Sequence, residues 1–316
     1  MESGTVKKVI LALMMLMLAA GAAVAQTAAA QTLPAAPAAA PATPSAAASA
    51  AASSAASTAP QANQEARKAP QPKTQEEYDA FQAASALTDA ATLEAAATEF
   101  AQRYPESELR GYLFQQAMGQ YQALGDGDKS LAMARAVLKY EPNNPVALLT
   151  AAQMLSERTH EFDLDRNERL SEAEADARNA LRHANEVPPP AGMNAAQFAE
   201  VMAQLRGTAH EVLGTVSFKR AEYFNAIKEF NAAINEERER TDAVVYLRLA
   251  VSHDKSEDVQ SALRAADKAI AGSATGSQVR LLAEREKNRL LKLATPDLQE
   301  QKDRRSPVPE NSPTAR

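Results

Sequence analysis

The sequence predicts an all-α fold, a solenoid of antiparallel helical hairpins. Three observations carry that expectation. Apolar residues recur at helical spacing from about residue 74 to residue 293. A pattern of small and large residues returns at an offset of 36 positions, aligning Ala226-Ile227 with Ala262-Leu263 and Ala233-Ile234 with Ala269-Ile270. The 45% apolar content is largely alanine, with only 5% aromatic residues and no tryptophan. Alanine lets helix axes approach closely, so such a core suits stacked helices better than a sandwich or a large internal cavity.

The chain opens with the three parts of a cleavable export signal at 1–25. Lys7 and Lys8 precede the apolar run from Val9 to Ala20, and small residues lead to Ala23-Val24-Ala25, with cleavage expected after Ala25. The alternative is an uncleaved anchor. Even extended to Val24, the apolar segment reaches roughly 16 residues against the roughly 20 that span a bilayer. The signal implies the periplasm or a secreted location. Cysteine is absent, which excludes disulfides and a lipidated cysteine at the cleavage point. Residues 26–73 are mostly alanine, proline, serine, threonine and glutamine, and Pro34, Pro37, Pro41, Pro44 and Pro60 interrupt any alanine helix. They read as a disordered linker, serving either as a spacer or as a tolerated low-complexity leader. No later stretch is apolar enough to span a membrane after signal cleavage.

The helical domain is expected over 74–293. Tyr78, Phe81 and Leu87 give a first apolar face, and Leu93, Ala97 and Phe100 a second that ends near Tyr104-Pro105. Phe114, Ala117, Met118 and Tyr121 mark the next helix. Gly125-Asp126-Gly127 makes its turn, and Ala134, Val137 and Leu138 mark the return helix, which stops before Pro142. Pro145–Ser156 and Ser171–Ala184 read as a third hairpin with a polar insertion between them. Pro188-Pro189-Pro190 then interrupts the array, and Asn194 with Gln197 has capping-box spacing for a long helix through Lys219. Tyr223 is expected to pack across the turn that follows. Tyr246, Leu249 and Ala250, then Ala262, Ala266 and Ala269, supply the fifth hairpin. A last helix, about 277–293, caps the array with Val279, Leu282, Leu290 and Leu293 inward. Residues 294–316 read as a disordered tail.

Segment 111–144 resembles a tetratricopeptide repeat, a 34-residue unit of two antiparallel helices. Tyr121 sits at that family's tyrosine position, and Ala134, Val137 and Pro142 match later signature positions. The match from Gly207 is fuller: Leu213-Gly214 fit the leucine-glycine pair, Ala226 and Ala233 the small residues and Phe230 the aromatic. Phe114, Met118, Ser130 and Ser217 depart from the pattern. The resemblance spans 74–276 unevenly and implies a superhelical groove for peptides or partner domains. By the same resemblance, the groove positions are Tyr112, Gln115, Gln122, Leu149, Gln153, Glu211, Thr215, Phe218 and Lys219. This mixed surface does not resemble a basic carboxylate clamp.

The sequence offers little chemistry. His160, His183, His210 and His253 have no metal-ligand spacing, and no HExxH, phosphate-cradling or GxSxG motif occurs. Asp163, Asp165, Asn167, Ser171 and Glu174 fall at EF-hand positions 1, 3, 5, 9 and 12, but Glu168 stands where the loop needs glycine. The segment therefore reads as a polar insertion leading into a helix. The expectation is no catalytic residue, no cofactor and no metal. A net charge of −6 without a basic stripe argues against nucleic acid. What remains is an exported protein-protein interaction scaffold whose concave surface takes a peptide or partner domain. The alternatives are self-association as a structural assembly protein without a peptide groove, or an enzyme or sugar-binding protein built on a helical solenoid.

Overall fold

The structure, a computed structural model, describes residues 70–305 apart from 188, 190 and 191. The expected signal at 1–25, nearly all of the linker at 26–73, two prolines of the Pro188–Pro190 break and residues 306–316 lie outside that range. The described residues hold eleven α-helices and no strand. Ten of them pair into five consecutive hairpins: α1 (Gln75–Ser85) with α2 (Ala90–Arg103), α3 (Arg110–Leu124) with α4 (Gly127–Tyr140), α5 (Pro145–Arg158) with α6 (Arg166–His183), α7 (Ala195–Lys219) with α8 (Tyr223–Glu237), and α9 (Ala243–Lys255) with α10 (Val259–Gly272). The last helix, α11 (Gln278–Arg305), covers the end of the stack. The fold is an all-α, tetratricopeptide-like solenoid.

Short polar side chains set where the helices begin. Thr74, Asp89, Asp126, Asn144, Asp242 and Asp258 each accept a hydrogen bond from a first-turn amide that has no partner inside its helix. Asn194 and Gln197 close the capping box that opens α7 as expected. Gly125, at φ 77°, ends α3 in the left-handed region that a side chain would strain.

The hairpins then bury the faces that the spacing predicts. Leu93, Ala97, Phe100, Ala117, Met118, Ala134 and Val137 are buried in the first two, and Ala226, Phe230, Ala233, Leu249, Ala250, Ala262, Ala266 and Ala269 in the last two. Gly214 shows why the leucine-glycine pair is there. A Cβ on it would stand 2.5 Å from the Phe230 ring, so α8 reaches α7 only because that position is bare. Tyr223 packs edge-on against Phe218 across the turn, with ring centroids 6.1 Å apart.

Three expectations need correction. The second helix of the third hairpin begins at Arg166, not Ser171, so the end of the polar insertion is already helical. Charged side chains on an outer face supply no apolar period, which hides a helix start. The last helix runs through Pro296 to Arg305, where an end near Leu293 was expected. Proline removes one donor and crowds the preceding turn but does not forbid continuation. Leu293 is 52% exposed rather than inward; Leu290 is buried as expected, and Ala283 is buried with it. No helix among the described residues is long and apolar enough to cross a membrane.

Candidate functional site: the inner face and its C-terminal cleft

The first helices of successive hairpins, α3, α5, α7 and α9, are tied together by polar side chains along one face. Asn144, the cap of α5, donates through Nδ2 to Gln115 Oε1 on α3 at 3.1 Å. Thr150 Oγ1 donates to its own helix at Val146 O, so its lone pair accepts from Gln122 Nε2 at 3.1 Å. Gln122 Oε1 and Gln153 Oε1 are left buried without a hydrogen-bond partner among the described residues.

Further along, Arg248 on α9 joins three hairpins. Its guanidinium donates to both Glu157 oxygens at 2.9 Å on α5, and to Thr215 Oγ1 at 2.9 Å on α7. Lys219 Nζ adds bonds to the carbonyls of Glu157 at 3.0 Å and Thr159 at 2.7 Å. The cluster is electrostatically uneven. Burial pushes the Glu157 carboxyl up, but Arg248 and Lys219 outweigh it and hold the group below its ordinary range. Glu211, one turn before Thr215, is pushed up to about 8: burial dominates, Arg248 opposes it, and Glu157, Glu237 and Asp242 add repulsion. Burial lowers Lys219, partly countered by Glu157.

Beside this cluster lies a cleft of about 310 Å³ between α7, α9 and α11. Phe218, Leu247, Val251 and Leu282 make its apolar wall, and Arg248, Arg285, Glu286 and Arg289 its charged edge. Arg248 is committed to Glu157, and Arg289 to Asp254 at 2.5 Å and Glu286 at 2.7 Å. Arg285 has no ion-pair partner among the described residues and is exposed. The cleft therefore offers apolar contact next to a cation available for a carboxylate.

The nine positions read from the sequence all lie on α3, α5 and α7 but differ in access. Gln115, Leu149, Gln153, Glu211 and Thr215 are buried in the array itself. Tyr112, Gln122, Phe218 and Lys219 are partly exposed, and only Phe218 reaches the cleft. The Tyr112 hydroxyl is pushed up to about 12 by burial, with Glu141 and Glu108 adding repulsion. Sequence reasoning missed Glu157, Arg248, Arg285 and Arg289. A usable signal existed: moving Glu211 and Thr215 along by the 36-residue offset lands on Leu247 and Val251, both in the cleft wall. The segment with EF-hand spacing does not gather its oxygens around one point. Glu174 is held by Arg178 at 2.8 Å and Arg220 at 2.6 Å, and Asp163 accepts from the His160 amide at 2.8 Å. Among the described residues, no group of three or more His, Cys, Asp or Glu is placed to hold a metal ion.

No protein-family model and no curated protein matches the sequence. Solved structures of similar fold include a thermophilic TPR protein of Thermus thermophilus, at 14% identity and TM-score 0.38, covering 66% of this chain and 98% of that one. The assembly chaperone of RpL4 is 13% identical at TM-score 0.37, covering 70% and 99%. YrrB, a TPR protein with an unusual peptide-binding site, is 16% identical at TM-score 0.26, covering 61% and 98%.

Proposed function

We propose that this chain is an exported protein-protein interaction scaffold whose inner face, at the α7/α9/α11 cleft, binds a peptide or partner segment carrying apolar and acidic side chains. The observation that carries the reading is Arg285: an exposed cation at the edge of an apolar cleft, beside two arginines whose charges are already matched. A neutral apolar ligand would leave that charge idle, and a cationic one would meet Arg285 beside two arginines already held by carboxylates. Complementary potential favours an acidic neighbour to the apolar anchor. Export rests on residues 1–25, and the mature chain then begins at Gln26. Catalysis and nucleic-acid binding form no part of this reading.

The test is fluorescence anisotropy of the full chain with two sets of labelled octapeptides, Phe or Leu alternating with Asp or Glu, and the same peptides with lysine at the acidic positions. Binding of the acidic set alone, weakened ~tenfold or more by Arg285→Glu, is the expected result. Equal binding of the lysine set, or no binding of either, overturns the reading. Intact-mass measurement of exported protein tests the location separately, with loss of residues 1–25 as the expected outcome.

A further inference from the structure

The α5–α6 connection places two large apolar side chains in water. Phe162 is 88% exposed and Leu164 is fully exposed. The connection is braced rather than loose. Asp163 Oδ2 accepts from the His160 amide, Thr159 Oγ1 donates to Leu155 O at 2.7 Å, and the Arg166 guanidinium bonds the Lys219 carbonyl. Bracing such a pair outward gives the isolated fold nothing, since apolar burial is its main source of stability. It does remove the ordering cost of presenting the pair to something else.

The run Glu161-Phe162-Asp163-Leu164-Asp165 alternates carboxylates with those apolar side chains. Glu161 and Asp165 are exposed beside them. Among the described residues, the other close pair of exposed large hydrophobics is Leu291 and Leu293, which flank Lys292 on α11. In the loop, Asp163 and Asp165 both face Arg169 at 3.8 Å, and Glu161 is the carboxylate left without an ion pair among the described residues. The cleft, bounded by α11, matches the loop in kind: an apolar wall edged by Arg285 and Arg289. The two features are neighbours on one surface, because Lys219 binds the Thr159 carbonyl next to Phe218, and Arg248 binds Glu157 just before the loop. When a knob and its matching cleft lie side by side, a two-fold axis lets each copy fill the other's cleft at once.

Resting on the reading of the cleft as a site for acidic, apolar segments, we infer that its occupant is the 161–165 loop of a second copy, so that the chain forms a reciprocal dimer. Phe162 and Leu164 enter the apolar wall, and Glu161 meets Arg285. The remaining stretches of the chain fit the cleft less well. Residues 306–316 carry one carboxylate side chain and no large aromatic or leucine, and 26–69 are mostly alanine and proline.

Sedimentation equilibrium of the full chain over a concentration series to ~100 µM tests this. The substitutions Phe162→Ser with Leu164→Ser, and separately Arg285→Glu, lie at exposed positions, and unchanged helical content and melting temperature serve as the folding control. The expected result is a wild-type dimer whose dissociation constant rises at least ~tenfold in each variant. An equimolar mixture of the two variants regains association, because one intact loop meets one intact cleft. A wild-type chain monomeric throughout, or dimers unaffected by the loop substitutions, overturns the proposal. A labelled peptide of residues 160–167 separates the two readings. If it binds a monomeric chain through Arg285, the dimer is wrong and the cleft reading stands; if neither association nor peptide binding occurs, both fail.

Discussion

The first two hairpins and the last two are built from the same grammar and held together differently. In α1–α4 the core contacts between helices are apolar and aromatic, with Phe81 against Phe100 at 6.2 Å and Phe114 stacked on Tyr140 at 5.8 Å. The polar ties of these helices are neutral amides, Gln116 and Gln120 donating to the Ser85 and Leu87 carbonyls. Their ionic contact, Lys129 to Glu94 at 2.9 Å with Tyr121 donating to the same carboxylate, sits at the rim. In α7–α11 the helices meet through Gly214, set against the Phe230 ring, and a row of buried alanines. The inner face there buries Glu211, half-buries Lys219 and spans three hairpins with Arg248. A stack needs only apolar complementarity to hold. Buried charge weakens such a stack unless fully matched. The first half buries a carboxylate too, Glu77 on α1. The second half, however, gathers Glu211, Arg248 and the half-buried Lys219 on one face, and the proposed cleft adjoins that cluster.

The comparison breaks first at its packing. Phe230→Ala, at a fully buried ring against Gly214, is expected to cost about 3–5 kcal/mol. Gly214→Ala costs about 1–3 kcal/mol by overpacking, and Phe230→Leu partly relieves it in the double variant, as measured by urea unfolding. If Gly214→Ala is neutral, the close approach of α7 and α8 is not what orders this half.

Arg248→Met tests the charged face. It strands Glu157 and deepens the isolation of Glu211, for an expected loss of about 2–4 kcal/mol, moderated because Glu157 keeps some access to water. The matching removal in the first half, Lys129→Met, should cost less than about 1 kcal/mol, since that pair is half exposed. Equal effects would erase the distinction between the halves.

The acid-base behaviour sharpens it further. Glu211 binds its proton more tightly folded than unfolded, with its value moved from 4.5 to about 8. The folded state therefore holds more protons between those values, and stability falls as pH rises from about 4.5 to about 8. Glu211→Gln should flatten that slope and stabilise the chain on the order of 1–3 kcal/mol at pH 8, with little change at pH 4. Glu237, pushed up to about 7 chiefly by burial, contributes in the same direction. Glu157 has the opposite sign: held low by Arg248, its contribution is lost only as pH falls through its folded value. Thermal melts of wild type and Glu211→Gln across pH 4–9 separate the two.

Much of the fold was legible because small and large residues alternate at fixed offsets, and helical spacing records which of them face inward. Thus Leu93, Ala97, Phe230 and Ala266 were readable as core. The start of α6 at Arg166 and the length of α11 were not, because charged outer faces carry no apolar period. The site was half legible. Resemblance pointed to the inner face and to Phe218, yet it selected positions such as Thr215 and Leu149 that the array uses for itself. The arginines were invisible for a simpler reason. A guanidinium's role depends on whether a carboxylate lies within reach, and Glu157 stands 91 positions from Arg248 in the chain.

Hydrogen-deuterium exchange of the full chain, with and without a saturating acidic-apolar octapeptide, tests the central claim most directly. The account predicts new protection at the end of α7, in α9 and in α11, with α1–α4 unchanged. Protection centred on α3 and α5, or none anywhere, would contradict it.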